Sequence, residues 1–290
     1  MQLKVKRKVE SVLKKALDMK KISCHNRKKY FIGVMKLIYV TGDTHSEFKR
    51  FKNKIFHASA EDTVIICGDF GGLWDNSREK QYWLRWLCEK PYTILFCDGN
   101  HENYDMIKSY PVENLFGGKV HRISDNIYHL MRGEIFEIEG KTFFVMGGAR
   151  SHDTADGILN PLDKDFNMIE KMLIRRGKKM YRVKGVSWWE EEMPNEKELS
   201  HALETLSKHD FKVDYIITHE CPTDVHKIVV ENYVEEERKH EYSPDELTDF
   251  FQMISGKCEF RKWFFGHYHA DAEISEKFRV IEKDIVALDG

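Results

Sequence analysis

Five short polar motifs, each placed just after a strand-like apolar run, constrain this chain more than any other feature. Leu37-Ile38-Tyr39-Val40 leads into Gly42-Asp43-Thr44-His45. The run 63–67 leads into Gly68-Asp69, and 92–97 into Gly99-Asn100-His101-Glu102. Tyr215-Ile216-Ile217-Thr218 leads into His219, and Trp263-Phe264-Phe265 into Gly266-His267-Tyr268-His269. Helical patterns near 46–57 and 77–89 separate the first three runs, which is the βαβαβ pattern of a mostly parallel sheet. Parallel strands deliver their C-terminal ends to one edge, where α/β folds hold ligands. The motifs are therefore expected to meet. A glycine beside each lets the backbone turn sharply at the strand end.

The rest of the chain divides by character. Residues 118–147 carry short β-rich runs with turn signals at Asp125-Asn126 and Glu139-Gly140, which reads as hairpins. Residues 150–187 are polar, with a helix near 165–176, and the stretch 150–195 reads as an insertion or lid. Further helices are expected at 196–208 and 244–256, strands at 213–218 and 260–265, and β-structure at the C-terminus. Residues 35–290 form one domain in this reading. In residues 1–34, Val5, Val9, Val12, Leu13, Ala16 and Leu17 recur at helical spacing among lysines. That segment reads as a basic extension outside the native fold, Met35 being an alternative start.

Charge narrows the partners. Residues 1–34 hold eleven Lys/Arg against two acids, a local charge of +9, so the remainder, with 35 basic and 46 acidic residues, carries −11. An acidic body argues against a broad surface for duplex phosphate backbones. It can still take phosphate substrates if bound cations supply local positive charge. With 41% hydrophobic and 32% charged residues the chain can build a core and a solvated surface. No run reaches the roughly 20 apolar residues of a membrane span, and a cytoplasmic location is expected. The six cysteines include no C-x-x-C pair and read as small buried thiols.

Asp, Asn and His are short oxygen- and imidazole-bearing ligands suited to Mn, Fe, Zn or Ni. Alone, each motif has a plainer reading: Asp43 as a helix N-cap, Gly266-His267-Tyr268-His269 as a turn with surface imidazoles. Five such coincidences in order, at strand ends, favour a shared site able to hold two ions roughly 3.5–4 Å apart.

Asp-x-His, Gly-Asp, Gly-Asn-His-Glu, His and Gly-His-x-His, in that order over about residues 36–289, resemble the calcineurin-like metallophosphoesterase superfamily. The closing Gly-His-x-His is more typical of its phosphodiesterase-like branches. The resemblance implies an α/β fold, a two-sheet β-sandwich flanked by helices in four αββα layers. It implies two divalent transition metal ions, manganese first, and hydrolysis of a phosphomonoester or phosphodiester by a metal-bridging hydroxide. By the resemblance, Asp43, His45 and His269 hold one ion, Asp69 bridges, and Asn100, His219 and His267 hold the other. His101 is implied as no ligand but as the group that contacts phosphate and protonates the leaving oxygen.

One departure stands out. Protein phosphatases of this superfamily carry Gly-Asp-x-x-Asp-Arg-Gly at the second motif, whereas this chain reads Gly68-Asp69-Phe70-Gly71-Gly72-Leu73-Trp74. The Asp that orients the histidine and the Arg that grips phosphate are both missing. Arg150 is the candidate substitute cation, since its fork suits phosphate. His152 and Asp153 read as polar loop residues, and Glu190-Glu191-Glu192 as a solvated helix start. Trp74, Trp188 and Trp189 read as packing, with base stacking as the alternative. The leading function is a metal-dependent phosphoesterase acting on a soluble substrate. The alternatives are a nuclease of single-stranded nucleic acid and a non-catalytic, metal-stabilised binding protein.

Overall fold

The computed structural model describes residues 36–52 and 56–288; the basic extension lies outside them. Fifteen strands follow in chain order. β1 (Ile38–Thr41), β2 (Thr63–Ile66) and β3 (Thr93–Phe96) come first, then β4 (Val112–Leu115), β5 (Gly118–Arg122) and β6 (Ile127–Leu130). β7 (Glu134–Ile138) and β8 (Lys141–Met146) form a hairpin, and β9 (Gly157–Leu159) and β10 (Tyr181–Val183) pair only with each other. β11 (Tyr215–Thr218), β12 (Lys262–Phe265), β13 (Ala272–Glu273), β14 (Phe278–Val280) and β15 (Ile285–Leu288) complete the set. The first sheet runs β15-β1-β2-β3-β6-β5-β4 and the second β13-β14-β12-β11-β8-β7. β1, β2, β3 and β6 are parallel, as are β8, β11, β12 and β14.

Strand alternation dictates four layers. Val40, Ile65 and Leu95 of the first sheet pack with Phe143, Val145, Ile217 and Phe264 of the second, forming the inner core. Their neighbours face outward. Val64, Ile66 and Phe96 meet Phe48, Trp83 and Leu87. Phe144, Ile216, Trp263 and Phe265 meet Leu206, Val229 and Phe251 of the outer helices. Apolar side chains on both faces make these strands continuous hydrophobic runs.

Helices occupy Arg78–Cys88, Tyr104–Lys108, Phe166–Arg175, Glu196–Lys208, Thr223–Tyr233 and Glu246–Lys257. Capping boxes start two of them: Asn195 with Glu198, and Asp245 with Thr248. The helix expected near 46–57 is instead a 3-10 turn, Phe48–Lys52, with residues 53–55 outside the described set. His45 and Ser46 just before it sit at φ 42° and 69°, which delays helix entry. Phe48 and Phe51, both buried, have the i, i+3 spacing of a 3-10 turn.

Candidate metal centre

Strand ends of both sheets converge on one rim. Asp43 follows β1, Asp69 follows β2, Asn100 and His101 follow β3, His219 follows β11, and His267 and His269 follow β12. Asp43, His45 and His269 form one group able to hold a cation, and Asp43, Asp69 and His219 another, with donor atoms within 4.8 Å of one another in each group. Nε2 of His45 lies 3.2 Å from Nε2 of His269, which is 3.6 Å from Oδ2 of Asp43. Nε2 of His219 lies 3.2 Å from Oδ1 of Asn100. Asp43 belongs to both groups, and Asp69 Oδ2 lies between two imidazoles, 3.5 Å from His45 Nε2 and 3.4 Å from His219 Nε2.

Hydrogen bonds fix which ring nitrogens face inward. His219 Nδ1 donates to the Cys67 carbonyl at 2.8 Å, which leaves Nε2 for the centre. A carbonyl can only accept, so His152, 2.9 Å from the Glu241 carbonyl, carries its proton on Nδ1. Its Nε2 then accepts from Nε2 of His267 at 2.6 Å, leaving the lone pair of His267 on Nδ1. Glu220 stands 3.6 Å from that same Nε2. Burial pushes His152 down to about 4, consistent with a neutral imidazole. Of the two sequence readings of His152, a polar loop residue or a support for the ligands, its contact with His267 favours the second.

The carboxylates and imidazoles of the cluster shift one another. Burial raises the Asp43 carboxyl, and the Asp69 charge beside it adds to the effect. Burial also works against charge on Asp69, but His219, His101 and His45 override it and hold that carboxyl well below its usual range. Burial lowers His219, yet Asp69 and Asp43 outweigh it and lift the imidazole to about 10. Positive charge beside these two buried carboxylates comes from His219, and the Asp, Asn and His oxygens and nitrogens of the cluster are of the kind divalent transition ions take.

The backbone is strained at four of the candidate ligands. His45, Asp69, His267 and His269 all have positive φ, at 42°, 48°, 74° and 51°, a region costly for residues with a Cβ. The sharp turning expected of the adjacent glycines therefore falls partly on the candidate ligands themselves. Glycine is needed instead for space: a Cβ on Gly266 would lie 2.0 Å from Asp43 Oδ1, and one on Gly99 2.2 Å from Asp69 Oδ1.

Supporting groups come from elsewhere. Glu102 accepts from the Phe70 amide at 2.6 Å and so braces the loop after Asp69. Asp98 binds the Arg132 guanidinium, His129 Nε2 at 3.0 Å and Tyr104 Oη at 3.0 Å, anchoring the turn that carries Asn100. Burial opposes charge on Asp98, but Arg132 and His129 prevail and keep it ionised. Asn100 Nδ2 donates to Ser151 Oγ at 3.4 Å, and Ser151 Oγ donates to Glu192 at 2.6 Å. Glu192 is 3% exposed, so the acidic run is not wholly solvated as expected; its last member is folded under the centre.

His101 bonds Asp69 through its main chain, donating to Oδ1 at 2.8 Å, and its ring packs edge-on 5.3 Å from His45. Arg150 does not come to it. Its fork is taken by Asp245 at 3.1 Å and Glu246 at 2.8 and 2.9 Å, because the capped start of Glu246–Lys257 presents two carboxylates to it. The guanidinium that does reach His101 is Arg182, whose Nη2 lies 3.3 Å from Nδ1. Nothing in the sequence spacing marked Arg182, which lies 81 residues from His101. Trp189 is buried and donates to Asp105 at 3.0 Å, a packing role. Cys67, Cys97, Cys221 and Cys258 are buried thiols, as expected.

Residues 36–271 match the calcineurin-like phosphoesterase family. No curated protein matches the chain. Among solved structures, a protein of unknown function from Aquifex aeolicus is similar at 19% identity, over 54% of this chain and 82% of that one, with a TM-score of 0.27.

Proposed function

The chain belongs to the calcineurin-like phosphoesterase family, and from that premise we propose that it hydrolyses a phosphomonoester or phosphodiester with two divalent metal ions. Asp43, His45 and His269 would hold one, Asn100, His219 and His267 the other, with Asp69 shared. The observation that carries this reading is Asp69 Oδ2, 3.5 Å from His45 and 3.4 Å from His219, at the junction of the two donor sets. Bound there, the ions supply charge against phosphoryl oxygens and lower the pKa of water.

The remaining work falls to the chain. Asp69 fixes the His101 main chain and so sets where that imidazole stands over the rim. His101 faces a phosphoryl oxygen or the leaving oxygen and holds a proton for it. Ser151 and Glu192 keep the Asn100 amide turned so that Oδ1 faces His219. We place the substrate among small or medium soluble phosphoesters, given the acidic body. Among the described residues no helix is long and apolar enough to cross a membrane.

The test is a panel of aryl phosphate, bis-aryl phosphate, cyclic nucleotide, dinucleotide and phosphopeptide substrates with Mn²⁺ supplied. Metal-dependent turnover of at least one is expected. No turnover of any with Mn, Fe, Zn or Ni would overturn the reading.

A further inference from the structure

Beside the rim stands a guanidinium with one arm unengaged. Arg182 lies on β10, outside both large sheets. Its Nε donates to Asp153 Oδ1 at 2.8 Å and its Nη2 to Asp153 Oδ2, a two-point clamp that fixes the plane of the fork. The same Nη2 reaches Nδ1 of His101 at 3.3 Å. Nη1 makes no hydrogen bond among the described residues. The side chain is 18% exposed, so the arm is held by the protein yet open to solvent on one side. An arginine can only donate, so His101 Nδ1 accepts and its proton sits on Nε2.

We infer that Arg182, clamped by Asp153 beside His101, is the side chain through which residues 150–195 grip a phosphoryl oxygen of the substrate. The inference deepens the phosphoesterase reading and rests on it. It also locates the cation missing from the second motif. The first three strands supply the motif side chains there, whereas the gripping fork arrives on a separate β-pair. A planar fork with one free arm suits an oxyanion better than a flexible ammonium would. The ligand class is therefore a phosphoryl group with an accessible non-bridging oxygen.

The experiment uses the full chain with Mn²⁺ and inorganic phosphate as the probe, read by isothermal titration calorimetry, beside steady-state hydrolysis of an aryl phosphate. Arg182→Gln is expected to weaken phosphate binding by about 10- to 100-fold, the worth of a charge-assisted hydrogen bond. Arg182→Lys should recover part of the loss, since charge returns without the fork. The same loss should persist in a His101→Ala background, which separates direct contact from an effect through His101. Unchanged phosphate binding by a folded Arg182→Gln protein overturns the inference. So does a loss that disappears in the His101→Ala background, and so does a wild-type chain that binds no phosphate. A wild-type chain that binds phosphate through Arg182 but hydrolyses nothing would sink the phosphoesterase reading while leaving this contact standing.

Discussion

His152 and His267 meet Nε2 to Nε2 at 2.6 Å, and the direction of that bond is set by a third group, the Glu241 carbonyl on the far side of His152. A proton held on Nδ1 of His152 makes His267 the donor in this bond, which leaves the lone pair of His267 on Nδ1. Replacing His152 with Ala removes the lock without touching a proposed ligand. Metal affinity should fall about 10- to 100-fold, the usual cost of losing a partner that orients a ligand. Titration of the chain with Mn²⁺, followed by calorimetry, checks this; an affinity within error of wild type would remove His152 from the centre.

Asp69 is the proposed shared ligand, with Oδ2 3.5 Å from His45 and 3.4 Å from His219, whereas His101 meets the site through its main-chain bond to Asp69 and the edge of its ring against His45. The two should therefore fail differently. Asp69→Asn is expected to lose both bound metal and turnover. His101→Ala should keep its metal while kcat drops by about 10²- to 10⁴-fold, the range for a lost proton donor. Metal content by elemental analysis, set against kinetics on the same preparations, distinguishes them.

Metal binding should also stabilise the fold. A ligand held only by the folded state adds about 2.7 kcal/mol at a hundredfold excess over its Kd. Chelation should lower Tm and re-addition of Mn²⁺ should restore it, in a thermal scan with and without chelator. A Tm indifferent to both would contradict the proposed centre.

His121 predicts the acid side of the stability curve. It stacks on His129, Nδ1 to Nδ1 at 3.0 Å, beyond the Asp98 network. Burial, with the His129 ring beside it, pushes His121 from 6.5 down to about 4. A folded-state value below the unfolded one means its contribution is complete above 6.5 and is lost as pH falls towards 4. His121→Asn should flatten that part of the profile, measured as urea midpoints on either side of the window. An unchanged slope would show that other groups set the acid limit.

Much of this arrangement is readable from sequence, because continuous apolar runs and the residues ending them are local signals. β1, β2, β3, β11 and β12 lie where those runs predicted, and the motif side chains after them come together. What escaped was everything supplied by distant packing. Arg150 and Arg182 look alike in sequence, and only the fold shows that Asp245 and Glu246 occupy the first while the second reaches His101. Glu192 looks solvent-facing in a triple-Glu run, yet Ser151, 41 residues away, draws it inside. The left-handed backbone at Asp69 and His267 has no sequence signature, since neither is the glycine such angles usually demand. Helix length near 46–57 was over-read for the same reason: the turn at His45 and Ser46 consumes its first residues.

The proposed ligands are divided between two separate sheets, the carboxylates, His45 and Asn100 arriving on one and His219, His267 and His269 on the other. Ions gripped from both sides would act as rivets through the sandwich, resisting any shear of one layer past its neighbour. Mechanical or thermal opening of the loaded molecule would then have to break coordination before it could separate the layers, so endurance and catalysis would depend on the same few atoms.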